Sequence, residues 1–262
     1  MDISKKIETA LRDYYTDFYR EKLGLADWES RVDLRLQEEE TFGEPIVRKV
    51  ELWLDYRFQG KKVLVVGTGT GAEAMALSRR EGLIYGIDPS PAALSILRWK
   101  AGQHRLDPES FLLAKAEAIP FPDDFFDFVF CYTVLEHVQD VERAIDEMIR
   151  VCRPNGLVFL ALPEYRFPSE PHYKIWLIPF VPRWFHAIYL KALGRPTAYL
   201  WTLNFLTRPK LDRMLWKKNV TTIRVNEPFL RQWKKISYKY IFSVIFAVTP
   251  QQNIFLRKMP SN

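Results

Sequence analysis

Gly67, Gly69 and Gly71 alternate directly behind the apolar run Val63-Leu64-Val65-Val66 and directly before a helix-forming stretch from Ala72 to about Arg80. Glycines so placed let a ligand approach the backbone where any Cβ would collide. The helix beyond them offers unpaired N–H groups and a positive dipole end to a carboxylate or phosphate. Asp88 lies at the end of the next apolar run, followed by Pro89. A carboxylate there can accept hydrogen bonds from both ribose hydroxyls of a nucleoside. Taken singly, the loop could be a tight turn without a ligand, and the acid a helix-leading residue. Taken together, at the ends of neighbouring strands, they describe a nucleoside-cofactor site. The dinucleotide fingerprint is G-x-G-x-x-G; the spacing here is G-x-G-x-G, which disfavours a nicotinamide enzyme without excluding one.

Other residues could carry chemistry around this centre. His137 follows Glu136 just beyond the run Asp127–Cys131 and is a candidate general base, with a structural role beside a loop carbonyl as the plainer reading. Glu170 and His172 flank Pro171 and are candidate substrate contacts, or surface loop residues. Tyr14 and Tyr15 could reach the site from an N-terminal helix, although their spacing also suits core packing. Cys131 and Cys152 match no metal or redox spacing, so reduced, packed thiols in a reducing cytoplasmic setting are expected.

The elements that must position these residues follow from periodicity. Residues 1–60 read as helices: Ile7, Leu11, Tyr14, Tyr15 and Phe18 recur at helical spacing, then Ile46, Val50, Trp53 and Leu54. Glu38-Glu39-Glu40 reads as a solvated helix face. From Lys61 the pattern changes to short apolar runs, Val63–Val66, Leu83–Ile87, Phe111–Ala114, Asp127–Cys131 and Leu157–Leu162, separated by helices. Ser90 and Pro91 suit the N-cap and first position of one helix, Val141–Cys152 suits another, and Pro154-Asn155-Gly156 suits a turn. This alternation predicts a doubly wound, mostly parallel α/β sheet with helices on both faces. Residues 61–163 form its core, after an N-terminal helical segment 1–60 and before an aromatic, basic insertion and closing strands in 164–262. Helical patterning returns near Arg208–Lys218, and Val220–Val225 and Tyr240–Val248 are candidate edge strands.

Charge divides the chain. Residues 1–162 carry 21 Lys and Arg against 28 Asp and Glu, whereas 163–262 carry 17 against 4 and hold 5 of the 8 tryptophans. Aromatic rings beside cations suit an anionic membrane interface. They also suit single-stranded nucleic acid or a lid with an aromatic core and a basic rim. No leader pattern or run long enough to span a bilayer is read, so the expected location is cytoplasmic, with peripheral contact at the inner membrane face.

The segment 60–163 resembles the class I S-adenosylmethionine-dependent methyltransferases. Val63–Gly71 looks like their first motif and Gly86-Ile87-Asp88-Pro89-Ser90 like their second. Ala116–Val129 is similar to their adenine-contacting segment, Cys131–Val138 to their fourth-strand motif, and Arg153–Val158 to the turn into strand five. The resemblance implies S-adenosyl-L-methionine as cofactor, with Gly67, Thr68, Gly69, Gly71 and Cys131 near its methionine part. It further implies Asp88 and Pro89 at the ribose and the backbone of Ala116 and Glu117 at the adenine; an acid common two residues before Glu117 is replaced by Lys115. It implies that His137 lies near the transferred methyl, and that the insertion holding Glu170 and His172 covers the acceptor. Some relatives join a similar Leu-Glu-His stretch to an acid three positions before the Glu to bind a divalent metal; Thr133 stands there, so no metal is expected. The function so implied is methyl transfer to a small-molecule or lipid-like acceptor. A catalytically silent binder of the same cofactor and a nucleic-acid methyltransferase remain as alternatives.

Overall fold

In the computed structural model, residues 3–104, 106–176, 178, 181–225 and 249–260 are described. The strands β1 (Lys62–Val66), β2 (Leu83–Asp88), β3 (Phe111–Leu113), β4 (Phe126–Tyr132), β5 (Cys152–Pro163), β6 (Val220–Arg224) and β7 (Gln251–Lys258) form one open sheet. Their order is β3-β2-β1-β4-β5-β7-β6. The pairs among the first five strands are parallel, and β7 runs antiparallel to both β5 and β6. The order reverses between β1 and β4. A crevice opens there beyond the strands' carboxyl ends, where doubly wound sheets bind ligands.

Alternation along β1 decides the two faces. Leu64 and Val66 pack with Val141, Ile145 and Met148 of α6 (Val141–Val151) and Leu211 and Leu215 of α9 (Arg208–Leu215). Val63 and Val65 pack with Val47 and Val50 of α3 (Glu44–Leu54), Leu77 of α4 (Ala72–Ser78) and Leu97 of α5 (Pro91–Ala101). Helices on both faces explain why the central strands read as unbroken apolar runs. As expected, the Ser90 hydroxyl accepts the Ala93 N–H at 3.3 Å and Pro91 opens α5. β5 begins earlier than Leu157: Asn155 takes a left-handed φ of 62° within it, and the β4–β5 register shifts at Phe126/Phe128.

Ahead of the sheet stand α1 (Ile3–Thr16), which continues as a wider turn over Asp17–Lys22, and α2 (Trp28–Glu38). Ile7, Leu11 and Tyr15 of α1 and Val32 of α2 pack on Ile96 of α5. Behind β5, a lid contains α7 (Arg183–Ala192) and α8 (Ala198–Thr202); its own small core joins Tyr173, Leu190 and Leu200 to Leu23 and Leu25. The candidate strand at 220–225 is β6. The candidate at Tyr240–Val248, and the basic aromatic run at 231–240, lie outside the described residues.

The triplet Glu38-Glu39-Glu40 is not a uniformly solvated face. Glu39 is 4% exposed. It accepts from Lys100 Nζ at 2.8 Å and the Tyr15 hydroxyl at 2.9 Å, and lies 3.0 Å from an Arg35 guanidinium nitrogen. Burial alone would raise its pKa, but Lys100 and Arg35 outweigh that and hold it below the ordinary value.

Candidate active site

The loop between β1 and α4 carries the three glycines at positive φ: 70° at Gly67, 50° at Gly69 and 99° at Gly71. Their surroundings assign them different tasks. A Cβ on Gly67 would sit 2.4 Å from Val134, and one on Gly71 would sit 2.3 Å from Leu97, so these two let the loop pack against the turn after β4 and against α5. A Cβ on Gly69 would meet nothing within 4 Å. Gly69 therefore presents bare backbone to open space, as a ligand cradle requires. Gly71→Ala is expected to lower thermal stability by about 1–3 kcal/mol through overpacking. Gly69→Val is expected to cost about 1–2 kcal/mol for left-handed strain and to block nucleoside binding, with melting curves and calorimetry separating the two effects.

Asp88 closes the loop from the end of β2. Its Oδ2 accepts the Gly69 N–H and its Oδ1 the Ser90 N–H, each at 2.8 Å. Burial raises its pKa, against the lowering effect of these two bonds. Each oxygen keeps a further lone pair for a ligand. Tyr14 of α1 lies close by: burial first, then the Asp88 charge, pushes its phenol up to about 12 and keeps it a proton donor. Tyr15 holds the loop from behind, its hydroxyl 2.8 Å from Thr70 Oγ1, while Lys100 donates to Thr70 O at 3.0 Å.

A cleft of about 170 Å³ runs from this loop, lined by Gly67, Pro89, Ala116, Glu117, Val134 and His137 among others. It unites five residues proposed from sequence. Glu117 does more than line it: one carboxylate oxygen accepts the N–H groups of Gln139 and Asp140 at 2.6 and 3.2 Å, anchoring the entry to α6. Cys131 is a packed thiol, as its spacing suggested, and its side chain does not line the cleft as the resemblance implied. Its side chain lies in the core beneath α6, 1% exposed, with burial raising its thiol pKa. Thr68 is also buried, its hydroxyl without a hydrogen-bond partner among the described residues. A cavity of about 490 Å³ lies under α1 and α2, lined by Ile7, Leu11 and Asp33 but by none of the loop glycines.

Past β4 the chain turns at Thr133, a β-branched residue held at φ 55° and bonded from its N–H to Ala161 O at 2.7 Å. Such a residue in the left-handed region is strained, and the turn it makes carries Glu136 and His137. Asn204, beyond α8, clamps it: its side chain donates to Val138 O and Leu135 O at 2.5 and 3.3 Å, and its N–H to Glu136 O at 2.6 Å. Glu136 is 0% exposed, and neither carboxylate oxygen has a hydrogen-bond partner among the described residues. Burial raises its pKa to about 7. Crowding by protein, then the nearby His172, lowers that of His137 and favours a neutral imidazole.

Glu170 and His172 are not surface loop residues. Glu170 is 0% exposed; it accepts the Tyr173 N–H at 2.6 Å and lies 2.6 Å from His172 Nδ1. The lid brings His172 against His137, ring centroids 5.1 Å apart, with Tyr199 between 5 and 6 Å from both. A second cleft of about 380 Å³ begins here, lined by Phe18, Tyr19, Arg35, Tyr132, Glu136 and His172 among others. Thr133 offers no carboxylate to a metal ion. The fold instead gathers Glu136, His137 and His172, one potential ligand atom from each lying within 4.8 Å of the others.

Residues 64–160 match the family model described as a methyltransferase domain. YcgJ of Bacillus subtilis, named as an uncharacterized methyltransferase, is 32% identical over 110 residues, covering 42% of this chain and 43% of its own length. The crystal structure of YcgJ aligns with a TM-score of 0.56 at 18% identity over 81% of this chain and 98% of that one. A methyltransferase structure from Mesorhizobium loti aligns with a TM-score of 0.57 at 15% identity, over 80% and 96%. A protein of Pseudomonas entomophila named ubiquinone biosynthesis O-methyltransferase is 36% identical over 112 residues, 42% of this chain and 48% of that one. The chain spans about half the length of the curated relatives it matches. Residues 64–160 thus match a methyltransferase domain, and the chain shares the fold of the class I S-adenosylmethionine-dependent methyltransferases.

Proposed function

We propose that the protein transfers a methyl group from S-adenosyl-L-methionine to a small-molecule or lipid-like acceptor presented at a membrane surface. The observation that carries the cofactor reading is the pairing of Gly69 with Asp88: bare backbone facing open space, closed by a buried carboxylate at the neighbouring strand end. The residues fit the group. Gly69 leaves room for the methionine part, Asp88 offers lone pairs to the ribose hydroxyls, and the cleft by Ala116 and Glu117 takes the adenine. When bound, the cofactor supplies an electrophilic methyl on a sulfonium.

The chain's own work is to place a nucleophile in line with that methyl and keep water out, since positioning accounts for much of such a displacement. His137 and His172 stand where the two clefts meet. Where the acceptor must lose a proton, His172, oriented by the Glu170 carboxylate 2.6 Å from its Nδ1, turns its other ring nitrogen to the junction beside His137 and can receive that proton. Tyr199 and the lid close over this point. Calorimetry with S-adenosylhomocysteine tests the cofactor reading, and transfer of label from methyl-labelled cofactor to an acceptor in cell extract identifies turnover; absence of nucleoside binding would sink the reading.

The lid supports presentation at a membrane. On α7, Trp184, Phe185, Ile188 and Tyr189 are exposed along one side, while His186, Ala187 and Leu190 face inward. Between Glu170 and Asp212 the sequence contains six Lys and Arg and no Asp or Glu. Rings at headgroup depth with basic neighbours suit anionic lipid, at about 1 kcal/mol per cation. No helix among the described residues is long and apolar enough to cross a membrane. The paired substitution Trp184→Glu, Ile188→Glu is expected to abolish flotation with phosphatidylglycerol vesicles while leaving nucleoside affinity unchanged. Equal flotation of both proteins would remove α7 from this role.

A further inference from the structure

The cleft beside the lid is lined by an acid to which no described residue is paired. We propose that the methyl acceptor is an amine, whose ammonium pairs with Glu136 in a cleft lined by Phe18, Tyr19 and Tyr132. The cation site stands on its own geometry; its use as an acceptor site rests on the function proposed above.

Three observations converge. Glu136 lines this cleft of about 380 Å³ while 0% exposed, and neither of its oxygens has a hydrogen-bond partner among the described residues. Buried charges are ordinarily paired, and those residues supply no ion pair to this one. Burial raises its pKa to about 7, so a cation beside it favours the ionised form. The neighbouring arginines, by contrast, are already committed. Arg31 donates two hydrogen bonds to Asp27 at 2.8 and 2.7 Å, and Arg35 lies 3.0 Å from Glu39. Lys174 and Glu38, of opposite sign, line the same cleft and are exposed. The third observation is the rings of Phe18, Tyr19 and Tyr132 along the cleft. Aromatic faces attract cations, and rings grouped in this way recognise alkylated ammonium ions. Arg35, 3.6 Å over the Phe42 ring, already makes one such contact here.

Such a site selects by charge. A neutral acceptor of the same shape leaves the buried carboxylate unpaired, whereas an ammonium satisfies it. A free amine and the amine of a lipid headgroup offer this same chemistry. For the nitrogen to attack, one N–H proton passes to His172 and the freed pair forms the N–C bond. The pair of the broken C–S bond stays on sulfur, so the products are the methylated ammonium and S-adenosylhomocysteine.

The test uses the full chain and choline chloride, a quaternary ammonium that binds but cannot accept a methyl group. Its comparison is dimethylbutanol, the uncharged carbon isostere. Calorimetry should show choline preferred by roughly 10- to 100-fold. Glu136→Gln should abolish that preference, and Tyr19→Leu should reduce it roughly 3- to 10-fold. Glu109→Gln, altering an exposed acid just before β3, should leave it unchanged. Circular dichroism melting establishes that each variant is folded; if Glu136→Gln does not fold, Tyr19→Leu decides. Displacement of choline by ethanolamine in solution identifies a free amine, and displacement only by phosphatidylethanolamine micelles identifies a lipid headgroup. No choline preference in the wild type, an undiminished preference in Glu136→Gln, or displacement by neither amine overturns the proposal. A wild type that binds S-adenosylhomocysteine without preferring choline loses this proposal alone. Asp88→Ala separates the two ideas, since it should abolish nucleoside binding and retain the choline preference.

Discussion

Asp88→Ala is expected to weaken S-adenosylhomocysteine binding by roughly 30- to 700-fold, the equivalent of about 2–4 kcal/mol. That is the loss of charge-assisted hydrogen bonds to two ribose hydroxyls, at about 1.5–3 kcal/mol each, partly offset by water filling the gap. The carboxylate also holds Gly69 N at 2.8 Å, so part of the loss comes through the loop. Asp88→Asn distinguishes a binding residue from a structural one. Burial raises the pKa of Asp88 above its ordinary 3.8. A raised carboxylate contributes stability below its unfolded pKa, and that contribution is lost as pH rises through the folded value. The charged form at pH 7 is therefore a cost to the ligand-free protein. Asp88→Asn removes that cost but sets an amide NH2 against the N–H of Gly69 or Ser90, so its melting temperature should stay within a few degrees of the wild type while it binds the nucleoside poorly. Calorimetry and thermal melting on the same samples check both halves; wild-type affinity in Asp88→Asn would remove the carboxylate from the site.

Lys100→Met has the largest expected effect on stability. It leaves Glu39 buried without its ammonium partner, and breaking a buried pair from one side costs about 3–5 kcal/mol. For a chain of this size that lowers the melting temperature by roughly 6–20 °C. Arg35 and Tyr15 still reach Glu39, which places the result toward the lower end. The same ammonium holds Thr70 O at 3.0 Å, so nucleoside affinity should fall although Lys100 does not line the cofactor cleft. The double change Lys100→Met, Glu39→Leu should recover most of the stability, because apolar replacement of both partners of a buried pair is often neutral. The pH dependence follows from the depressed pKa of Glu39. Its contribution is present above the ordinary value of 4.5 and is lost as pH falls through the lower folded value. Urea unfolding at neutral and acidic pH should show the gap between wild type and Lys100→Met closing as pH falls. A constant gap would mean that the glutamate charge is not what Lys100 stabilises.

Much of the cofactor side was legible because its determinants are local. A buried strand, a turn that needs positive φ and an acid at the next strand end must follow one another closely in the chain. Gly67, Gly69, Gly71 and Asp88 accordingly fall where spacing placed them. The doubly wound class followed from the same kind of signal, apolar runs alternating with amphipathic stretches. β7 was missed because Gln251–Lys258 is short and its apolar residues, Ile254-Phe255-Leu256, are bounded by polar ones. Its place between β5 and β6 is set by antiparallel pairing with residues about a hundred positions earlier.

What the sequence by itself determined was the sheet class, the glycine turn with an acid at the neighbouring strand end, and the opposite charge of the two parts, since each depends on composition or near-neighbour spacing. Tertiary structure alone decided three matters. It turned Glu39 from a solvated acid into the partner of Lys100, placed Cys131 in the core rather than the cleft, and carried the pair Glu170–His172 from an irregular, proline-rich stretch onto His137 and Glu136. In each case the deciding quantity is burial against a residue remote in the chain. Desolvation then sets which charges are paired, which protons are held and which side chains a ligand can reach, and periodicity along a strand or helix carries no record of that.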